Sequence, residues 1–183
     1  NHNRMEFETT NTSIGYRFNV SVCINIDFDL GAWQFGMVYD NRYLKADANR
    51  VWYSGAGKSQ LFGKAGTANI AVTPSIETKN TTHDYVLFGE SRLSGPFPNA
   101  THCPASLAYV EFEVVAIPEE NQTHESPISI SALYKDPPSY GETVMLDSGK
   151  NHISIEYLGD IDFQFKWTAP PDIIVINVTP SKT

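Results

Sequence analysis

The segment SGAGKS at 54–59 carries the ending of a phosphate-binding loop. Such a loop needs a glycine, four residues and then Gly-Lys-Ser/Thr, so that backbone amides at a helix N-terminus wrap the phosphates. Counting back five from Gly57 reaches Trp52, and Gln60 to Gly63 do not open a helix, so the segment reads as a hairpin loop. His83 beside Asp84, and His102, His124 and His152, can be combined on paper with serines into triads, but no G-x-S-x-G elbow supports them. His102 and His124 sit in or beside Asn-X-Thr loops, which predicts surface exposure. The carboxylate pairs Asp27/Asp29, Glu111/Glu113 and Asp160/Asp162 are spaced i, i+2 on strands. That spacing places both members on one outward face, without the differing environments that separate a general acid from a base. No catalytic residue is expected, and the chain reads as a non-enzyme.

Metal chemistry is the stronger option. Calcium takes six to eight oxygens, which β-sandwich loops supply readily. Weak candidates are Asp27 and Asp29 before Gly31, Asp40 with Asn41, Asp47 with Asn49, and Asp147 with Asn151, although no DxDxDG loop occurs. A structural calcium is therefore an option and no other cofactor is indicated; scattered histidines give no zinc site. A net charge of −8 leaves no basic stripe to neutralise phosphates, which disfavours nucleic acid as a partner. No run of about 20 apolar residues is present, and the opening NHNRMEFETTNT is polar, so neither a membrane span nor a signal peptide is expected.

Six Asn-X-Ser/Thr sequons, at Asn11, Asn19, Asn80, Asn99, Asn121 and Asn177, fit a glycosylated exterior protein. Cys23 and Cys103, 80 positions apart and without a CxxC partner, exclude a zinc knuckle or thioredoxin-type motif. A single disulfide suits an oxidising exterior and would stabilise by about 4 kcal/mol in the chain-entropy reading; two buried thiols are the alternative.

The elements that must position these residues are strands. Phe18, Val20, Val22, Ile24, Ile26 and Phe28 alternate with Asn19, Ser21, Cys23, Asn25 and Asp27, a period of two that makes one face apolar. Further strands are predicted over 32–39, 50–54, 68–76, 84–91, 106–117, 127–134, 142–146, 152–158, 162–167 and 172–179, with Gly, Pro, Asn and Asp between them. The stretch 40–50 is helix-tolerant but supports one or two turns at most. About ten short strands read as an antiparallel β-sandwich. About half of the aromatic residues fall on inward positions; the rest suit a carbohydrate platform or a protein contact face.

GAWQFGMVYDNRYLKADANRVWYSG (31–55), DYVLFGESRLSG (84–95), ASLAYVEFEVVAI (105–117) and VMLDSGKNHISIE (144–156) together resemble the archaeal cohesin-like domain in order and spacing. The resemblance spans about residues 15–158. It implies a jelly-roll sandwich carried on extracellular proteins, whose best-known members bind calcium-loaded dockerin modules. The tail DIIVINVTPSKT resembles the opening strand of adhesion-type Ig-like repeats.

Two units follow: a sandwich over 1–168, and a proline-rich linker with a projecting strand over 169–183. Ile173, Ile174, Val175, Ile176 and Val178 crowd five β-branched aliphatics into one short segment behind Pro170 and Pro171. A strand of that composition needs both a ladder and a buried face. The expectation is a cell-surface adhesion or structural subunit linked head-to-tail into a homopolymer by strand addition. The alternative is a receptor module that binds a dockerin or a glycan.

Overall fold

The computed structural model describes residues 3–8, 13–24, 26–53, 68–94, 96–97, 105–130, 144–153 and 160–166. Eleven strands run through them: β1 Asn3–Glu8, β2 Arg17–Ile24, β3 Leu30–Asp40, β4 Leu44–Tyr53, β5 Ala68–Ala71, β6 Ser75–Thr78, β7 His83–Ser94, β8 Ala105–Val114, β9 Thr123–Ile130, β10 Val144–Asp147 and β11 Asp160–Lys166. The expected all-β sandwich is what the chain adopts. One sheet has the order β2-β8-β4; the other runs β1-β11-β9-β3-β7-β5, with β10 added on β3 and β6 on β7.

Sequence pattern and position in the sheet agree closely. β3 reads almost continuously apolar because it is buried on both faces over 35–40, and it is central: β7 pairs with it along Ala32–Asp40, while β10 and β9 share its other edge. β2 and β8 alternate because, among the described residues, only one face of their sheet is covered. Val20 opposes Val110 and Phe18 opposes Phe112 inside, whereas Asn19 opposes Glu111 and Ser21 opposes Tyr109 outside. The two sheets meet through aromatic rings, with Tyr39 of β3 edge-on to Phe112 of β8 at 5.2 Å. Trp33, Phe35 and Phe88 extend this cluster at ring separations of 5.4–6.4 Å. Burying each such ring contributes about 1.5–3 kcal/mol, and each pairing about 0.5–1.5 more.

Several boundaries differ from the sequence reading. The helix-tolerant stretch 40–50 is a turn at 41–43 followed by β4, since Leu44 and Ala46 are buried in the core at a spacing of two. The strand expected over 68–76 divides into β5 and β6 around Val72–Pro74, where proline has no N–H to give to a ladder. β1 lies in the polar opening where no strand was expected, and the alternation of Met5 and Phe7 is the signal that marks it. Segments 54–59, 154–159 and 167–183, including the predicted strand 172–179, lie outside the described residues.

Gly31 is required by close approach. A Cβ there would stand 2.2 Å from the Asp147 carbonyl oxygen, where the β3–β10 register shifts between Leu146 and Asp147. Because that obstacle is backbone, Gly31→Ala should destabilise the sandwich by about 2 kcal/mol, measured by urea denaturation. An unchanged midpoint would show that the β10 hairpin yields freely.

Candidate functional site

Among the described residues, the outer face of the β2-β8-β4 sheet carries an ordered ladder of exposed charged and aromatic side chains. Pairing sets its rows: Arg17–Glu113–Lys45, then Asn19–Glu111, then Ser21–Tyr109–Trp52. Arg17 Nη2 lies 2.8 Å from Glu113 Oε2, and Arg50 Nη1 lies 2.5 Å from Glu111 Oε1. Of the three carboxylate pairs expected on outward strand faces, Glu111 and Glu113 lie so on β8 and are neutralised by arginines from both flanking strands, whereas Asp27 and Asp29 fall in the bend between β2 and β3, off any strand. Beyond this ladder stand Trp52, 45% exposed, and Tyr109, 37% exposed. They are direct cross-strand partners, so their rings share a face.

At the far end of β3, Asp40 is buried and accepts hydrogen bonds from Arg42 through Nε at 3.0 Å, Nη2 at 2.7 Å and the backbone N–H at 3.0 Å. Burial works to raise the Asp40 carboxyl. The Arg42 hydrogen bonds and the charges of Arg42 and His124 outweigh it and hold the pKa below the usual carboxylate value. His124 Nε2 lies 3.1 Å from Asp40 Oδ2 but off the hydrogen-bonding line, and its ring stacks on Tyr43 at 3.8 Å. Burial lowers the His124 pKa despite the Asp40 charge. The expectation that His124 is a surface residue is corrected: β9 begins at Thr123 and carries the ring in against Tyr43. His83 Nδ1 lies 2.9 Å from the Thr82 hydroxyl, and Asp84 accepts from Asn41 at 3.1 Å, so this end holds polar groups that tie turns together.

A third cluster is interior. Glu90 faces Trp33 across β3 and β7, on the same side as Phe88, and both residues are buried. Burial pushes the Glu90 carboxyl up to about 7, with the Arg92 charge pulling only partly the other way. Trp33 Nε1 is buried without a hydrogen-bond partner. Tyr53 Oη accepts the Gly89 N–H at 3.2 Å and donates to the Val72 carbonyl at 2.5 Å, fastening β4 to the other sheet. Neither Glu90 nor this latch stood out in the sequence; a carboxylate at an inward position of an apolar strand was the signal.

The calcium candidates fall at the two ends of β3. Asp27 and Asp29 precede β3 and Asp40 ends it; Asp147 lies next to the first pair through a Ser148 N–H to Asp29 carbonyl bond of 2.8 Å. The Asp147 carboxylate is bonded to Asn151 Nδ2 and N–H, and Asp40 to Arg42. Among the described residues no three of His, Cys, Asp and Glu gather as a metal site. Of the sequons, Asn19, Asn80 and Asn121 are exposed, with Asn121 in a turn at φ 61°, while Asn11, Asn99 and Asn177 lie outside the described residues. At Asn80 three hydrogen bonds, from Thr82 N–H and hydroxyl and His83 N–H, all fall on Oδ1. Cys23 lies in β2 opposite Ser106, which is three positions from Cys103 in the chain; Cys103 itself is outside the described residues.

This architecture is a cohesin-like β-sandwich. A non-cellulosomal cohesin from the archaeon Archaeoglobus fulgidus superimposes with a TM-score of 0.52 at 14% identity, over 92% of this chain and 88% of that one. The sixth cohesin of scaffoldin B from Acetivibrio cellulolyticus, solved in complex with a Cel5 dockerin mutant, gives 0.48 at 14% identity over 87% and 93%. The second type II cohesin module of the adaptor scaffoldin ScaA from the same organism gives 0.43 at 13% identity over 92% and 87%. No family model and no curated protein matches the chain. Among the described residues no helix is long and apolar enough to cross a membrane.

Proposed function

We propose that the chain is a non-enzymatic, extracellular adhesion or structural module, glycosylated, and joined head-to-tail to further copies by strand addition of residues 172–179. The observation that supports this reading is the position of β11. It pairs with β1 on one edge and β9 on the other, so it occupies an interior place in its sheet. The strongly β-forming segment 172–179 begins six positions after Lys166 in the sequence, beyond the eleven described strands. Ile173, Ile174, Val175, Ile176 and Val178 need burial and ladder partners, and a sheet edge of another copy offers both. A contact of that kind repeats without closing and builds a filament.

A second reading is favoured by the archaeal cohesin fold: a receptor module for a dockerin, with one sheet face as the contact. One set of measurements separates the two. Deleting 170–183 should yield soluble monomers in electron microscopy and light scattering where the full chain assembles, with assembly of the full chain blocked by added DIIVINVT peptide. A truncated chain that still forms filaments would sink strand addition. Submicromolar binding of a calcium-loaded dockerin in calorimetry would instead establish the receptor reading.

A further inference from the structure

We infer that the exposed aromatic pair Trp52–Tyr109 is a platform for the chain's own carbohydrate: an N-linked glycan on Asn19 lies over it, so the outer face of the three-stranded sheet is sugar-covered and not a protein docking surface. Asn19 opens a sequon and is exposed on the outward side of β2. Its direct partner is Glu111, and Tyr109 is the diagonal neighbour on the same face, about 7 Å away in such a pair. Trp52 is one strand further in the Tyr109 row, about 12 Å from Asn19 by strand spacing and rise. The first sugars of a chain attached at Asn19 therefore reach both rings.

The remaining chemistry of the face favours a tethered sugar over a steered protein. Arg17, Lys45 and Arg50 are matched by Asp47, Glu111 and Glu113, so the patch is neutral in a protein whose net charge is −8. A neutral patch gives little electrostatic guidance to a charged partner. Glu111, directly beside Asn19, is held by Arg50 and by Arg17 at 3.6 Å; the two arginine side chains are 40% and 43% exposed, and each guanidinium carries five N–H donors to offer sugar hydroxyls. Two amphipathic rings flanked by such groups can stack on the apolar face of a pyranose. Attachment at Asn19 supplies an effective concentration that no free ligand on this surface would match.

The inference rests on the chain being glycosylated but not on how it assembles. The test uses the full chain made in a host that performs N-glycosylation, alongside N19Q, W52A and the double variant. Peptide mapping by mass spectrometry should find sugar on Asn19. Acrylamide should quench the Trp52 emission, taken as the difference between each glycoform and its W52A counterpart, less in the glycosylated chain than in N19Q. N19Q and W52A should each lower Tm by about 2–4 °C, with the double variant no worse than either alone. Additive Tm losses, equal quenching with and without the glycan, or an unmodified Asn19 in a chain modified at Asn80 or Asn121 would each overturn the assignment. The loss of filaments on deleting 170–183 is read separately, so failure of one proposal leaves the other measurable.

Discussion

Replacing Glu90 with glutamine should leave stability nearly unchanged at pH 4 and raise it by up to about 3 kcal/mol at pH 8. The carboxyl is buried on the inward side of β7, and its folded pKa is raised from 4.5 to about 7. A raised carboxyl pKa means that the folded state holds a proton the unfolded state has already released. Its contribution is thus fully present below pH 4.5 and is lost as pH rises to about 7, after which the deficit is constant. Glutamine imitates the neutral form at every pH and removes the deficit. Arg92, the charged neighbour, softens the penalty without cancelling it, because it too is buried. Urea unfolding from pH 4 to pH 8 checks the expectation through the difference between variant and native chain. Two parallel profiles would show that Glu90 reaches water in the folded state.

Asp40→Ala should cost about 2–3 kcal/mol at pH 7, seen as a fall in Tm of about 4–12 °C for a chain of this size. The carboxylate accepts three hydrogen bonds from one arginine and faces His124, so its removal frees the 41–43 turn that leads into β4. The loss stays below that of a fully buried ion pair because Arg42 is half exposed and can turn to water. Its pH dependence runs opposite to that of Glu90. A depressed carboxyl pKa contributes above its unfolded value and loses that contribution as pH falls through the folded one. The gap between variant and native chain should therefore close in acid. His124 and Tyr43 pack against the turn, with His83 and Asp84 beside it. A gap that grows in acid would assign the effect to His124 instead.

The sandwich was legible because burial in sheets writes itself as periodicity. β2 and β8, buried on one face, alternate, and β3, buried on both faces over 35–40, does not. What was hidden depends on register. Leu44 and Ala46 sit in a polar stretch, so their burial in β4 was masked by Lys45, Asp47 and Arg50, of which Arg50 reaches Glu111 on β8 and Asp47. The alignment of Trp52 with Tyr109 is equally invisible in the sequence, since a register shift between Ala46 and Val51 decides which residues of β4 face which of β8. His124 was misjudged for a similar reason. Its neighbours in sequence are a turn and a sequon, while its neighbours in space are Tyr43 and Asp40.

The parallel pairing of β1 with β11 has a mechanical consequence. Asn3 is aligned with Ile161 and Glu8 with Lys166, so the two strands run side by side in the same direction through six rungs. Tension entering ahead of Asn3 and leaving beyond Lys166 pulls them past one another along their length. The hydrogen bonds between them lie across that pull and must yield together, in shear, and cannot be opened singly like a zipper. Under such traction the strand pair acts as a clamp between its two ends and keeps the sheet closed.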